Sequence, residues 1–306
     1  MKTVAQLGED ALIARLVQDA PLQSSVILGP GDDCAVVQGP SAGRCLLLKT
    51  DVVVEGAHFT AETAPEWVGR KALARVLSDV AAMGGTPEHA TVTLLLPGET
   101  AVSWAEAAYA GLHELARQHG VSVVGGETAW SPLRILSVHL TGSVAEAAWA
   151  RRDAARMGDG IWVTGRLGGS LAGHHLTFSP RLEQGRWLVA EAGVRAMMDL
   201  SDGLARDLPR LARASGVGFE VDWDQLPCQP GCNRDQAWGD GEDYELLFTL
   251  PASGENDLLA NWQRRFSEIP LTRIGRITAP GQGETRPTGG WDAFDAGQKP
   301  SGQVGG

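Results

Sequence analysis

Aliphatic, β-branched runs alternate along this chain with segments whose apolar residues fall at helical spacing, and that alternation limits the fold more than any other feature. Residues 45–54 read as a strand, and residues 67–83 read as a helix with Leu73, Val76, Leu77 and Val80 on one face. Residues 91–96 read as a strand, 103–119 as a helix closed by Gly120, and 121–124 and 134–144 as strands. A short amphipathic helix over residues 8–20, carrying Leu12, Ile13, Leu16 and Val17, precedes them. A chain built this way folds as an α/β or α+β domain. The second half mixes strands (161–164, 196–200, 219–221, 244–250) with helices (204–214, 255–266). Between the halves lies a charged stretch containing Arg151, Arg152, Asp153 and Arg156. The expected division is a domain over residues 1–145, a second over 146–295, and a Gly-rich disordered tail over 296–306.

At 306 residues and 43% hydrophobic content the chain can bury two cores. Its formal net charge of −11 argues against a general nucleic-acid surface, which would be basic. It also argues against binding an anion by charge alone, so a phosphate substrate would require recruited cations. No run reaches the roughly 18 apolar residues of a membrane span, and the polar N-terminus lacks the apolar stretch of a signal peptide. Cys34, Cys45, Cys228 and Cys232 are too few for a disulfide scaffold, which points to reduced thiols in a cytoplasmic protein.

Acidic residues stand beside glycines at turns and element ends. They are Asp32 and Asp33 in Gly29-Pro-Gly-Asp-Asp-Cys34, Asp51 after Lys49-Thr50, Asp79 in Leu77-Ser-Asp79, and Glu127 after Gly125-Gly126. Asp199 and Asp202 follow in Met198-Asp-Leu-Ser-Asp-Gly203, and Glu242 and Asp243 in Gly239-Asp-Gly-Glu-Asp-Tyr244. Any one alone reads first as a turn former or helix cap, with Ser201 a plausible N-cap for the helix that follows it. Together they can converge, and their repulsion is then relieved by protons or cations. Magnesium takes a few carboxylates plus substrate phosphates as hard oxygen ligands. Ser201-Asp-Gly203 opening a helix offers free N–H groups to a phosphate, and Gly125-Gly126 permits close backbone approach. No Walker P-loop and no nucleophile-elbow triad is present.

Read in order, these motifs resemble the thiamine-monophosphate kinase family, within the superfamily that also holds aminoimidazole ribonucleotide synthetase and selenophosphate synthetase. The matching stretches are Gly31-Asp-Asp-Cys-Ala-Val36, Thr50-Asp-Val-Val-Val-Glu-Gly-Ala-His-Phe59, Lys71-Ala-Leu-Ala74 and Leu77-Ser-Asp-Val-Ala-Ala-Met-Gly84. They continue with Val163-Thr-Gly165, Ser179-Pro-Arg181, Met198-Asp-Leu-Ser-Asp-Gly-Leu204 and Gly241-Glu-Asp-Tyr-Glu-Leu-Leu-Phe248. The resemblance implies a two-domain fold like that of aminoimidazole ribonucleotide synthetase, α/β or α+β, with an N-terminal mixed sheet forming a homodimer interface. It implies ATP-dependent, magnesium-assisted phosphorylation of thiamine monophosphate. By the same resemblance Asp33, Thr50, Asp51, Asp79, Glu127, Asp199 and Asp202 match metal ligands, and Gly126, Glu127, Arg152 and Ser201 match ATP contacts. His58, Glu242 and Trp291 match substrate contacts, with Trp291 placed to stack on the thiamine. A sibling synthetase and a degenerate nucleotide-binding relative are the competing readings.

Two departures stand out. The family's Gly-Gly-Asp-Thr-Thr is here Gly125-Gly-Glu-Thr-Ala129, and Lys49 replaces the small residue usual before Thr-Asp. In a strand the Lys49 side chain points to the face opposite Thr50. There it is either a solvated lysine or, if a twist or bulge brings its ammonium to the carboxylates, a fixed positive charge where relatives hold an ion.

Overall fold

The computed structural model describes residues 2–282 and 289–294; the predicted tail over 296–306 lies outside them. The N-terminal half begins with α1 (Val4–Leu7) and α2 (Glu9–Val17). It then forms β1 (Val26–Leu28), β2 (Ala35–Gln38), β3 (Arg44–Val54), α3 (Pro65–Ala82), β4 (Thr86–Leu96), α4 (Val102–His119), β5 (Ser122–Trp130) and β6 (Ile135–Ala145). Its sheet runs in the order β1-β2-β3-β6-β4-β5, antiparallel except for the parallel β4–β5 pair. The sheet is therefore mixed, as the family resemblance implies.

The second half contains β7 (Gly160–Thr164), α5 (His174–Thr177), α6 (Leu182–Trp187), β8 (Met197–Asp199), α7 (Leu204–Ser215) and β9 (Gly218–Val221). It continues with α8 (Arg234–Gly239), β10 (Leu246–Leu250), α9 (Glu255–Arg265) and β11 (Leu271–Thr278). Its sheet, β8-β10-β7-β11-β9, is antiparallel at every pairing, so this half is α+β in kind.

Helix α3 holds the halves together. It packs on β3 and β6 on one side and on α6 and β8 on the other. Most of its length is buried, including Lys71, Ser78 and Asp79. On its outer flank α4 lies unusually close. A Cβ at Gly69 would meet the Ala108 carbonyl oxygen at 1.7 Å, and one at Gly111 would meet that of Glu66 at 2.0 Å. Two glycines thus set the helix separation.

Several sequence expectations are corrected here. The strand expected over 91–96 starts at Thr86, and the one expected over 121–124 runs on to Trp130, so Gly125, Gly126 and Glu127 are strand residues rather than a loop. The 8–20 helix is confined to Glu9–Val17. Ser201 is not the N-cap of α7: Gly203 takes that position with φ 95°, and the Asp202 N–H is satisfied by Asp207 Oδ2 at 3.0 Å.

Candidate active site

The expected carboxylates come from separate elements. Asp33 closes the turn before β2, where its N–H donates to Asp32 Oδ1 at 2.9 Å. Asp79 sits in the last turns of α3, and Asp199 ends β8. All three are buried, and each offers an oxygen within 4.8 Å of the others. Such a group is unstable without positive charge. Burial, and then the nearby Asp33, push Asp199 up to about 7. Burial likewise raises Asp79 well above the carboxylate range.

The surroundings partly answer that demand. The segment after β6 is tied to the second half where Met197 N–H donates to Arg151 O at 3.1 Å. This anchors Arg152, whose guanidinium lies 2.5 Å from Asp33 Oδ1 and whose N–H donates to Asp32 Oδ2 at 3.1 Å. Ser78 donates its hydroxyl to Asp199 Oδ2 at 2.6 Å. Asp33 Oδ2 remains buried without a hydrogen-bond partner. Three converging hard oxygen donors, one of them orphaned, suit magnesium, which is held by a few carboxylates and completes its shell with phosphate and water.

Strand alternation sorts β3 as expected for Lys49. Its side chain and that of Asp51 face α3, while Thr50 is exposed on the other face, in a groove with Leu48, Val124 and His139. Lys49 Nζ lies 2.6 Å from Asp79 Oδ1. Burial alone would lower its pKa, but Asp79 and Asp51 raise it instead. Asp51 is bound by Arg75 Nε at 2.9 Å.

A second acidic centre adjoins the first. Glu242 has φ 64° and reaches back to α3, where Lys71 Nζ lies 2.7 Å from its Oε1 and Arg75 3.7 Å away. His175 Nδ1 is 3.1 Å from Oε2. Burial would raise Glu242, yet Lys71, His175 and Arg75 hold it well below the usual carboxylate range. Lys71 also donates to His58 O at 2.7 Å, which fixes the start of the pocket wall. His58 itself is driven down to about 4 by burial and by Arg75, so it is neutral at pH 7. His58, Ser201, Asp202, Glu242, Tyr244 and Trp291 line one pocket beside this centre.

On the other side of the carboxylates opens a cleft of about 720 Å³ bounded by α2, Gly31, Asp32, Lys49, Arg152 and Arg210. Asp202 faces it, paired with Arg210, which also holds Asp10 of α2 at 2.9 Å. The two spaces share Asp202 in their walls, and Lys49 and Arg152, the ion-pair partners of Asp79 and Asp33, line the cleft.

Three expected residues stand apart. Thr50, expected as a metal ligand, lies on the outer face of β3 because strand alternation turns it away from Lys49 and Asp51. Gly126 and Glu127 lie on β5, three strands from β3, roughly 14 Å at the usual strand spacing. Glu127 is exposed and binds only the neighbouring Thr128 N–H among the described contacts, at 2.8 Å. Gly126 has a packing reason for its identity, since a Cβ there would meet the Val92 carbonyl oxygen at 1.9 Å. Conversely, sequence reading passed over Ser78, Arg75 and His175 and gave Lys71 no role beyond its place in a matching motif. Lys71, Arg75 and Asp79 recur every four residues, a charged stripe beside an apolar face, and that spacing was the available signal.

Residues 31–144 match the family described as AIR synthase related protein, N-terminal domain, and residues 156–286 match the corresponding C-terminal domain. The chain is 37% identical to the thiamine-monophosphate kinase of Rhodopirellula baltica over 272 residues, covering 82% of this chain and 84% of that protein. It is 36% identical to that of Escherichia coli K12 over 309 residues, covering 90% and 92%. A solved structure of AaThiL complexed with AMPPCP and TMP superposes with a TM-score of 0.83 at 32% identity, covering 96% of this chain and 99% of the other.

Proposed function

This chain belongs to the AIR synthase related family and, within it, to the thiamine-monophosphate kinases, and from that membership we infer that it transfers the γ-phosphoryl group of ATP to thiamine monophosphate, giving thiamine diphosphate. The observation that carries the reading is the buried carboxylate cluster Asp33, Asp79 and Asp199, whose basic partners Lys49 and Arg152 line a cleft that shares Asp202 with the neighbouring pocket. We assign the cleft lined by Gly31, Arg152 and Arg210 to ATP, and the pocket lined by His58, Glu242 and Trp291 to the thiamine end of the acceptor. Asp33, Asp79 and Asp199 would hold magnesium, with Asp51 and Asp202 at the margins. Bound there with the nucleotide, magnesium neutralises charge on the transferring group and aligns the reacting oxygens.

The chain's own residues do the rest. Arg152 fixes Asp33 and presents its charge to the cleft. Ser78 orients Asp199. Neutral His58 contributes packing and hydrogen bonding without repelling the thiazolium. Trp291 is anchored by its N–H to Asp202 O at 2.8 Å, which holds the indole over the pocket for stacking. No dedicated base is needed, because the nucleophile is already a phosphate oxygen; alignment and charge neutralisation suffice.

Thr50 opens onto the outer face of the N-terminal sheet, where Leu48 and Val124 are exposed. We assign that apolar face to a homodimer contact. The four free cysteines accord with a cytoplasmic enzyme, and no helix among the described residues is long and apolar enough to cross a membrane. The test is ADP release with thiamine monophosphate as acceptor, with and without magnesium. Release should require both; robust turnover of free thiamine with none of the monophosphate would overturn the assignment.

A further inference from the structure

Two basic side chains enter the acidic site from the protein itself, and their arrangement is reciprocal. Lys49 and Asp51 are two residues apart on β3 and share its inner face; Arg75 and Asp79 are four residues apart on α3 and share the face opposite. Two strand residues span about 6.8 Å and four helical residues about 6 Å. The spacings match, so each acid meets the other element's base: Lys49 Nζ on Asp79 at 2.6 Å and Arg75 Nε on Asp51 at 2.9 Å. Lys49 borders the open cleft yet turns its ammonium onto Asp79, and Arg75 is held from its other side by Glu242 at 3.7 Å.

We propose that Lys49 and Arg75 are built-in cations that take over, at Asp79 and Asp51, charge that divalent ions would otherwise supply. The inference rests on the kinase reading of the site. It leaves Asp33 and Asp199 as the carboxylates still short of positive charge: Asp33 Oδ2 has no partner, and Asp199 has the Ser78 hydroxyl. The nucleotide phosphates would then bring magnesium to that edge, and the ion count per chain is lower than the number of acids suggests. An ammonium is a compact point charge that can substitute for an ion's charge but not for its octahedral alignment, so the alignment falls to the ions that remain.

The test counts ions rather than turnover. Mn2+ binding is titrated by the loss of its free electron-resonance signal, in the presence of AMPPCP, for the wild-type chain, Lys49→Ser, Arg75→Gln and Lys49→Arg. Lys49→Ser and Arg75→Gln should each bind about one more Mn2+ per chain than wild type, and Lys49→Arg should not. Equal counts and affinities in all four would overturn the proposal. Should Lys49→Ser be unstable without ions, its melting temperature should climb more steeply with Mn2+ than that of the wild type; parallel responses would also overturn the proposal. Because the titration contains no acceptor, its failure is separable from failure of the kinase assignment, which is read from wild-type product formation.

Discussion

Glu242 and Asp199 are both buried acids beside α3, and their surroundings drive them in opposite directions. Around Glu242 the fold supplies Lys71, Arg75 and His175, and its carboxyl is held ionised. Around Asp199 it supplies one hydroxyl and two further acids, with Lys49 and Arg152 acting only from behind those acids, and the carboxyl is pushed up to about 7, burial leading and Asp33 next. The first region is finished when the chain folds. The second is short of positive charge, which in the function proposed above the nucleotide and its metal ions would bring. The difference separates a residue that shapes the pocket from one that performs chemistry, although the two look alike as letters beside glycine.

The comparison can be broken at several points. The largest effect is expected at Glu242. Glu242→Gln strands Lys71 without a counter-charge in the interior, and losing one partner of a buried pair costs about 3–5 kcal/mol. Urea unfolding should show that loss, and a midpoint near that of the wild type would mean the cage does not depend on the charge. Asp199→Asn should do the reverse. It relieves repulsion, so the protein should unfold no more easily, while turnover falls at least roughly a hundredfold, the scale of losing a preorganised electrostatic contact. Asp79→Asn should lower turnover to a similar extent, but because it leaves Lys49 without its carboxylate partner it should also unfold more easily than Asp199→Asn. A variant that retains near-wild-type rate would remove that residue from the metal set.

A pH experiment sharpens the contrast. His58 titrates near 4 when folded against about 6.5 when unfolded, so between those values the unfolded chain binds more protons. Stability from this group is full above pH 6.5 and lost as pH falls toward 4, by about 2–3 kcal/mol. His58→Gln should flatten that part of the stability curve relative to wild type; parallel curves would show that His58 is not held neutral. The smallest effect is expected at Trp291. A stacking contact is worth about 0.5–1.5 kcal/mol, so Trp291→Ala should raise KM for the acceptor up to about tenfold with little change in kcat. An unchanged KM would take Trp291 out of the pocket.

How far these regions were legible in sequence follows from how local their signals are. The order of Asp33, Asp79 and Asp199 among their motifs pointed to convergence, and strand parity on β3 placed Lys49 on the face opposite Thr50. The basic partners were harder. Lys71 and Arg75 look like ordinary charged positions of an amphipathic helix until two sheets are packed around it, and His175 lies in a short helix with no periodicity to read. β11 was missed because its register shifts between Arg273 and Gly275, which breaks the period-two pattern of Leu271–Thr278. Gly125-Gly126 was read as following the strand, where it would let a phosphate approach the backbone. The strand continues through it because Gly126 lies against the β4 backbone, where a side chain would not fit.

The most direct test of the account is product identification by phosphorus NMR in one reaction containing the purified protein, ATP, thiamine monophosphate and magnesium. The account predicts thiamine diphosphate and ADP appearing in equal amounts, with neither formed once magnesium is chelated. ADP appearing with inorganic phosphate and no thiamine diphosphate, or equal yields with and without the metal, would contradict it.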